Sequence, residues 1–211
     1  ENHLVLPLDL ANLGDVNSYI EQIQSKFGRI DILINNGGVS QRASANDTSM
    51  EVNRQLMEVN FFGNIALAKA VLPIFRAQKS GQYLVISSIA GKFGFHLRSI
   101  YSASKAALVG YYESLSMEEA AHGICVTIAF PGKINTPIST SALTASGEAH
   151  GVMDHNQATG MSVEKCVAQM LDALAHQKKE VLIGGKELLA VYMKRFLPRL
   201  FWKIIPKQSA T

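Results

Sequence analysis

The stretch Ser88-Ile-Ala-Gly-Lys-Phe-Gly-Phe-His-Leu-Arg-Ser-Ile-Tyr101-Ser-Ala-Ser-Lys105 joins the end of an apolar run typical of a buried strand to the start of a helix. Tyr101 and Lys105 are four positions apart, so on a helix their side chains lie on one face. A nearby ammonium favours the phenolate, and we expect Lys105 to lower the pKa of Tyr101 from its usual value of about 10. Ser88, at the carboxyl end of its strand, could hydrogen-bond the oxygen that Tyr101 protonates. The stretch therefore predicts a site for proton transfer to a carbonyl.

A tyrosine followed four positions later by a lysine is common in helices, where a packed ring often precedes a solvated ammonium. Three further features argue against a chance match: Ser88 upstream, the small residues around Lys105, and the segment 131–136, Pro-Gly-Lys-Ile-Asn-Thr. With these features the chain resembles the short-chain dehydrogenase/reductase family, whose active-site pattern is an Asn, a Ser and Tyr-x-x-x-Lys. The resemblance extends from about Asp9 to Gly185.

Length and composition indicate one soluble α/β domain. A chain of 211 residues can bury a sizeable core without a second domain. Hydrophobic residues make up 47% and charged residues 18%, and no apolar run of about 18 residues argues for a membrane span. The net charge of +3 is too small to indicate a nucleic-acid partner. Cys125 and Cys166 lack the spacing of a disulfide framework or a metal site, which favours a reducing, cytoplasmic location.

Strand and helix patterns alternate along the chain. The expected strands are 4–8, 30–34, 82–87, 124–130 and 180–184, and the expected helices are 16–27, 50–78, 101–122, a helix capped by Ser162, and 187–205. This alternation predicts a Rossmann-like, doubly wound parallel sheet in three α/β/α layers, with right-handed crossovers. We read residues 1–211 as one NAD(P)-binding domain.

A glycine-rich phosphate loop is missing from the sequence, although the family carries one after its first strand. The resemblance therefore implies that about two βα units precede Glu1 in the full protein. A chain of residues 1–211 would then expose unpaired strand edges, and we expect that it does not fold alone.

The predicted strand at 30–34 ends in Asn35-Asn-Gly-Gly38. Two glycines would let the backbone turn sharply and approach a ligand. An ordinary hairpin turn is the alternative, since Asn-Gly is also a frequent hairpin signal, but the helix that follows disfavours it. The family pattern here is usually Asn-Asn-Ala-Gly. Gly37 in place of the alanine, together with Ser40-Gln-Arg42, is similar to a subgroup of membrane-associated reductases related to retinoid and steroid dehydrogenases.

The resemblance also implies a role for each site residue. Tyr101 would protonate the substrate oxygen, Ser88 would position it, and Lys105 would bind the ribose hydroxyls of the cofactor. Asn60 would hold a water on a proton relay to Lys105; a locally satisfied polar side chain is the alternative. The implied cofactor contacts are Asp9 and Leu10 at the adenine, Asn36 and Gly37 at the adenosine ribose, Tyr101 and Lys105, and the loop residues Pro131, Ile134 and Thr136 near the nicotinamide.

The predicted activity is hydride transfer between NAD(P) and a carbonyl or secondary alcohol of an apolar small molecule. Subgroup resemblance favours NADPH, although the residues that would read the adenosine 2′ position lie outside this sequence. Residues 138–160 lack periodicity and predict a mobile lid over the substrate. Two alternatives stay open: a catalytically silent nucleotide-binding regulator, and a β-ketoacyl reductase acting on a carrier-bound substrate.

The segment 188–205 is apolar and basic. Read as one helix, with Pro198 bending or interrupting it, the segment carries a basic stripe at a spacing of four, Arg195, Arg199 and Lys203. Trp202 and Tyr192 suit a water–lipid boundary, so peripheral membrane contact is one hypothesis. Closing the substrate pocket or packing against a partner subunit is the other, because the resemblance also implies a homodimer or homotetramer.

Overall fold

Four parallel strands form the centre of the computed structural model, which describes residues 3–208. In chain order the strands are β1 (Ile32–Asn35), β2 (Gly81–Ile86), β3 (Ile124–Pro131) and β4 (Glu180–Ile183). The helices are α1 (Val16–Phe27), α2 (Met50–Met57), α3 (Gly63–Gln78), α4 (Ser99–Glu118), α5 (His155–Ala158), α6 (Val163–Ala175), α7 (Leu189–Phe196) and α8 (Pro198–Ile204). The predicted parallel α/β fold is confirmed.

β2 and β3 are the central strands and are nearly continuous apolar runs. In their register Leu84 lies opposite Thr127 and Val85 opposite Ile128. Both faces of these strands are covered by helices, which is why apolar residues occupy consecutive positions instead of alternating with polar ones. Their carboxyl ends deliver Ser88 and the loop after Pro131 to one edge of the sheet.

The helices divide between the two faces of the sheet. Tyr83 and Val85 pack with α3 and α4, whereas Leu84 and Ile183 pack with α6. The strands follow chain order, so crossovers of a single hand would place every connecting helix on one face. The third crossover, through α6, therefore has the opposite hand to the first two, contrary to the prediction of right-handed crossovers throughout. The segment 132–162 between β3 and α6 is long enough for the chain to pass over the carboxyl edge of the sheet. A short connection would favour a right-handed crossover, and this long one does not.

The predicted strand at 4–8 does not form. Within residues 3–208, this segment pairs with no strand of the sheet, and its nearest regular feature is a bridge between Asp9 and Asn12. A strand needs a neighbour to satisfy its N–H and C=O groups, and apolar composition alone does not supply one. The outer strand β1 correspondingly leaves Ile32 and Ile34 exposed by 45% and 50%.

The helical stretch Met50–Gln78 is the one stretch of the described chain that, by length and composition alone, could cross a membrane. Here it is the core layer of the domain, since Leu56, Val71 and Phe75 are buried. A π-turn, Glu58–Phe62, interrupts the predicted single helix and joins α2 to α3.

The predicted helix at 187–205 is two helices, because the chain breaks at Leu197 and restarts with Pro198 in the first turn of α8. The basic stripe is therefore not continuous along one helix. One side of the segment packs inward, where the buried Phe201 ring lies 5.2 Å from the Phe93 ring centroid to centroid. The other side exposes large apolar residues, namely Leu189, Tyr192, Phe196, Leu197, Leu200 and Trp202.

Candidate active site

A cavity of about 270 Å³ lies at the carboxyl edge of the sheet, where ligands of open α/β sheets bind. Most of the predicted site residues line it: Asn36, Ser88, Tyr101, Lys105, Pro131, Ile134 and Thr136. The others, Asp9, Leu10, Gly37 and Asn60, do not. The catalytic residue types predicted from the sequence thus converge, apart from Asn60, on a single cavity.

Ser88 is fixed by the turn that follows β2. Its hydroxyl donates to the Pro131 carbonyl at 3.3 Å and accepts from the Ala90 amide at 3.1 Å, which caps a short 3₁₀ turn. This double contact ties the end of β2 to the end of β3. The Ser88 oxygen is thereby held on the cavity wall, close enough to Tyr101 to affect its pKa.

The first turn of α4 holds Tyr101 with help from Gln41, which the sequence analysis missed. Arg98 precedes the helix and makes no side-chain cap. Instead, the Gln41 side-chain carbonyl accepts from the amides of Ile100 at 3.0 Å and Tyr101 at 3.4 Å. The Gln41 amide donates to Thr48 at 2.8 Å, so a wholly buried Gln supplies the missing cap. No local pattern indicates such a cap, because Gln41 lies far from α4 in the chain.

The pKa of Tyr101 is raised, not lowered as expected. Burial is the main cause, and the hydrogen bond of Ser88 and the charges of Arg98 and Arg42 oppose it. Lys105 contributes little because its ammonium lies 5.9 Å from the centre of the Tyr101 ring and donates to the Ile86 carbonyl at 2.8 Å. The phenol is therefore protonated at neutral pH and is a proton donor.

Lys105 lies on the same face of α4 as Tyr101, as the spacing predicted, and is almost fully buried. Burial lowers the pKa of its ammonium to about 8. The backbone carbonyl of Lys105 accepts from the Ser87 hydroxyl at 2.9 Å, which fixes α4 against the end of β2. The ammonium is thus charged at pH 7 and faces the cavity.

Asn60 lies in the π-turn behind the cavity. Its side-chain oxygen accepts from the Val39 amide at 2.8 Å, and its amide donates to the Val39 carbonyl at 2.9 Å and to Ser104 at 3.0 Å. A Cβ atom on Gly38 would lie 2.9 Å from the Asn60 oxygen and 3.4 Å from the Lys105 nitrogen. Gly38 therefore marks the place where Asn60 and Lys105 approach each other, and the water relay between them stays a prediction.

Asp9 and Leu10, which are predicted to contact the adenine, lie outside the lining of the cavity. The exposed Asp9 carboxylate accepts from the Ala11 amide at 2.9 Å. Leu10 is wedged between two glycines: a Cβ on Gly37 would lie 2.4 Å from a Leu10 methyl group, and a Cβ on Gly63 would lie 2.3 Å from the Leu10 carbonyl. Gly63, missed in the sequence, is required for this close approach.

The loop after β3 places Ile134 and Thr136 on the cavity wall. A bridge pairs Ile134 with Met161 through the Asn135 amide and the Lys133 carbonyl, so these two contacts do not use the N–H and C=O of Ile134 itself. The predicted contact of Ile134 with the nicotinamide part of the cofactor stays a prediction that this arrangement permits.

The predicted lid, residues 138–160, is hydrogen-bonded to the loop that follows β1. The Arg42 amide donates to the Leu143 carbonyl at 2.8 Å, and the Leu143 amide donates to the Ser40 carbonyl at 2.9 Å. A buried ion pair between Arg42 and Asp154 closes the far end of the segment. These hydrogen bonds and this ion pair join residues that are far apart in the chain. They give the segment a defined conformation that its composition did not predict.

Comparisons with known proteins identify the family of the chain. The family model described as short chain dehydrogenase matches residues 1–146. A "Dehydrogenase/reductase SDR family protein 7-like" of Anopheles gambiae is 40% identical over 98% of the chain and 65% of its own length. A "Dehydrogenase/reductase SDR family member 7B" of Xenopus laevis is 40% identical over 98% of the chain and 64% of its own length. The chain thus spans slightly less than two thirds of these relatives.

Solved structures show the same fold. A short-chain dehydrogenase from Streptomyces avermitilis superposes with a TM-score of 0.75 at 25% identity, covering 94% of this chain and 76% of that one. A short chain dehydrogenase/reductase from Burkholderia phymatum in complex with NAD gives a TM-score of 0.79 at 18% identity, over 98% and 79%, which bears on the fold alone. Together with the Ser88, Tyr101 and Lys105 arrangement, the sequence matches place this chain in the short-chain dehydrogenase family.

Proposed function

We propose that the protein is an NAD(P)-dependent oxidoreductase that interconverts a carbonyl and a secondary alcohol on an apolar small molecule. The observation that carries the proposal is the cavity at the sheet edge, which Ser88, Tyr101 and Lys105 all line. Reduction of a carbonyl requires a proton donor, a hydroxyl that orients the carbonyl oxygen, and a cation that stabilises negative charge, all at one place.

In the proposed reduction, a bound nicotinamide cofactor supplies the hydride that the carbonyl carbon receives. Ser88 orients the carbonyl oxygen, and Tyr101 gives that oxygen its proton. Because burial raises the pKa of Tyr101, the phenol holds this proton at neutral pH until the oxygen becomes basic. Lys105 would bind the ribose hydroxyls and stabilise the phenolate left behind, and Asn60 would hold the water through which the phenol is reprotonated.

The residues that line the cavity favour an apolar substrate together with a nicotinamide cofactor. Apolar residues of the lid and α6 also line the cavity, namely Ile138, Val163, Val167 and Met170. For the cofactor we propose NADPH. A structure named "ElxO with NADP Bound" is 31% identical over 60% of this chain and 52% of its own, with a TM-score of 0.58, and it supports that choice for the shared part.

Transfer of deuterium tests the proposal and separates its alternatives. The full-length protein would be incubated with NADPH or NADH deuterated at the transferable C4 position and with long-chain alkyl ketones, a steroid ketone or a carrier-linked β-ketoacyl thioester. We expect deuterium on the carbinol carbon of the free apolar ketones, and faster transfer from NADPH. Transfer to the carrier-linked substrate alone would establish the β-ketoacyl alternative. Cofactor binding without transfer to any ketone would support the silent regulator.

We also propose that the protein is cytoplasmic and contacts a membrane peripherally through the outer side of α7 and α8. Phe196 and Trp202 are exposed by 72% and 63%, and the cations of this segment, Arg195, Arg199 and Lys203, are exposed beside them. Such a surface can insert its rings among head groups while the cations meet anionic lipid.

Vesicle flotation tests the membrane proposal. Truncation is a poor test because Phe201 belongs to the core, so point variants on the outer side are preferable. We expect the full-length protein to float with phosphatidylcholine–phosphatidylserine vesicles at low salt, and a Phe196→Ser/Trp202→Ser variant to stay at the bottom. Leu171→Ser, at an exposed apolar residue of α6, is the matched control and should float. Equal flotation of all three proteins would contradict the proposal.

A homodimer or homotetramer is the proposed assembly. Phe62 and Met117 leave apolar surface exposed on the layer formed by α2, α3 and α4, and a second copy could cover it. Sedimentation equilibrium of the full-length protein measures the assembly directly, and a monomer at micromolar concentration would exclude it.

A further inference from the structure

The first turn of α4 carries Tyr101 and receives no cap from the residue that precedes it. The first amides of a helix have no partner within the helix, and a side chain at the preceding position usually accepts from the second or third of them. In α4 the second and third amides are those of Ile100 and Tyr101, and the preceding residue, Arg98, makes no side-chain cap. The turn that carries the proposed proton donor therefore depends on an acceptor from elsewhere in the chain.

Gln41 supplies that acceptor, and both ends of its side-chain amide are in use. Its oxygen accepts from the Ile100 amide at 3.0 Å and from the Tyr101 amide at 3.4 Å. Backbone amides can only donate, so the atom of Gln41 that faces them is the oxygen, and the NH₂ group points the other way. This NH₂ group donates to the Thr48 hydroxyl at 2.8 Å, which in turn donates to the Ser44 carbonyl at 2.6 Å. The side chain of Gln41 is therefore held in one orientation.

The backbone around Gln41 is also held from two sides. Two backbone hydrogen bonds, of 2.8 and 2.9 Å, join the residues on either side of Gln41 to Leu143 of the lid. The Ala43 amide donates to the Leu97 carbonyl at 3.2 Å, two residues before α4 begins. Gln41 itself is fully buried. The segment 40–43 thus lies between the lid and the beginning of α4, and a side chain on so constrained a backbone can define the place of the turn that it caps.

We propose that Gln41 is a positioning residue that holds the Tyr101 phenol in place for proton transfer. The proposal rests on the proposed function, in which Tyr101 is the proton donor. Gln41 does not line the cavity, so it acts through the backbone of Tyr101 and not on the substrate. Without Gln41 the first amides of α4 would lose their partner, the turn would open, and the phenol would move relative to Ser88.

Gln41→Met tests the proposal because it nearly keeps the size of the side chain and removes both its acceptor and its donor. Gln78→Met is the matched control. Gln78 also accepts from a backbone amide, that of Ile30 at 3.2 Å, and donates to the Ile30 carbonyl at 2.6 Å, but it does so before β1, at the opposite edge of the sheet. In single-turnover measurements on the full-length protein, we expect Gln41→Met to slow hydride transfer on the order of tenfold, with the Kd for NADPH within a few-fold of the wild type. Gln78→Met should transfer hydride at the wild-type rate.

Hydrogen exchange of backbone amides, followed by NMR in the full-length protein, reports on the cap without any turnover. We expect the Ile100 and Tyr101 amides to exchange about tenfold faster or more in Gln41→Met than in the wild type, while amides in the middle of α4 keep their rates. If Gln41→Met does not fold, Thr48→Val takes its place. This substitution removes the acceptor that orients the Gln41 amide, so exchange and hydride transfer should change in the same directions, each several-fold.

Each outcome decides the proposal. Faster exchange at Ile100 and Tyr101 together with slower hydride transfer supports it. Unchanged exchange at these amides overturns it, because the turn would then not depend on Gln41. Faster exchange with wild-type hydride transfer also overturns it, because Gln41 would then be a cap for stability alone. Equal slowing in Gln78→Met would overturn it too, since the loss of any such side-chain amide would be enough to slow transfer.

A failure of the proposed function has a different signature. If a Tyr101→Phe variant reduced ketones like the wild type, Tyr101 would not be the proton donor, and the catalytic role of Gln41 would be overturned with it. Hydrogen exchange distinguishes the two failures, because faster exchange at Ile100 and Tyr101 in Gln41→Met would still show that Gln41 holds the first turn of α4.

Discussion

Ser88 follows β2, and the buried Tyr101 and Lys105 lie on α4, whereas Asp9 and Leu10 lie on a segment that pairs with no strand within residues 3–208. At the first end, hydrogen bonds hold the Ser88 hydroxyl and the Lys105 ammonium. At the second end, contact between Leu10 and two glycines supplies most of the order. The proposed catalytic end is therefore held by hydrogen bonds, whereas at the proposed adenine end the closest contacts are the packing of Leu10 against two glycines.

The difference between the two ends indicates where atoms must be placed precisely for function. Proton transfer requires atoms placed within a few tenths of an ångström, and misplacement by about 1 Å can cost a hundredfold in rate. Adenine binding requires a complementary surface, which side-chain adjustment can restore. Two adjacent glycines, Gly38 next to Asn60 and Lys105 and Gly37 next to Leu10, allow the proposed catalytic end and the proposed adenine end to be perturbed separately.

Gly38→Ala should have the larger effect. Its new Cβ would lie 2.9 Å from the Asn60 oxygen and 3.4 Å from the Lys105 nitrogen, and Asn60 cannot retreat because Val39 and Ser104 hold it. We expect kcat to fall on the order of a hundredfold, with the KM for cofactor changed much less. Steady-state kinetics on a ketone found active in the deuterium assay would measure both. A normal kcat would show that the Asn60 and Lys105 approach is not needed for chemistry.

Gly37→Ala should have the smaller effect. The new Cβ would meet only the end of the flexible Leu10 side chain, at 2.4 Å, and this side chain can move. We expect a loss of cofactor affinity of less than about 1 kcal/mol, roughly fivefold in Kd, and an unchanged kcat. Calorimetric titration with NADPH gives the affinity. If the fall in kcat matched that of Gly38→Ala, the two ends of the site would not be separable.

Local patterns were enough to predict that Ser88, Tyr101 and Lys105 lie together at one cavity. Tyr101 and Lys105 face one way because they are one helical turn apart, and Ser88 lies at the sheet edge because an apolar strand ends there. The Ser162 cap of α6 likewise depends on neighbours in the chain and was predicted correctly.

Features that depend on distant contacts were not predictable. Arg42 and Asp154 are 112 positions apart, and neither carries a local sign of the other. The raised pKa of Tyr101 follows from burial, which only the assembled cavity determines. The hand of the α6 crossover and the absence of a strand at 4–8 depend in the same way on which elements become neighbours.

The central claim is that Tyr101 gives the substrate oxygen its proton, and Tyr101→Phe tests it most directly, with Tyr111→Phe as the control on the outer part of the same helix. Single-turnover hydride transfer and NADPH binding would be measured on both full-length variants. We predict that Tyr101→Phe slows transfer by about 10²- to 10⁴-fold while the Kd for NADPH stays within a few-fold of the wild type, and that Tyr111→Phe changes neither. Wild-type transfer rates in Tyr101→Phe would contradict the claim.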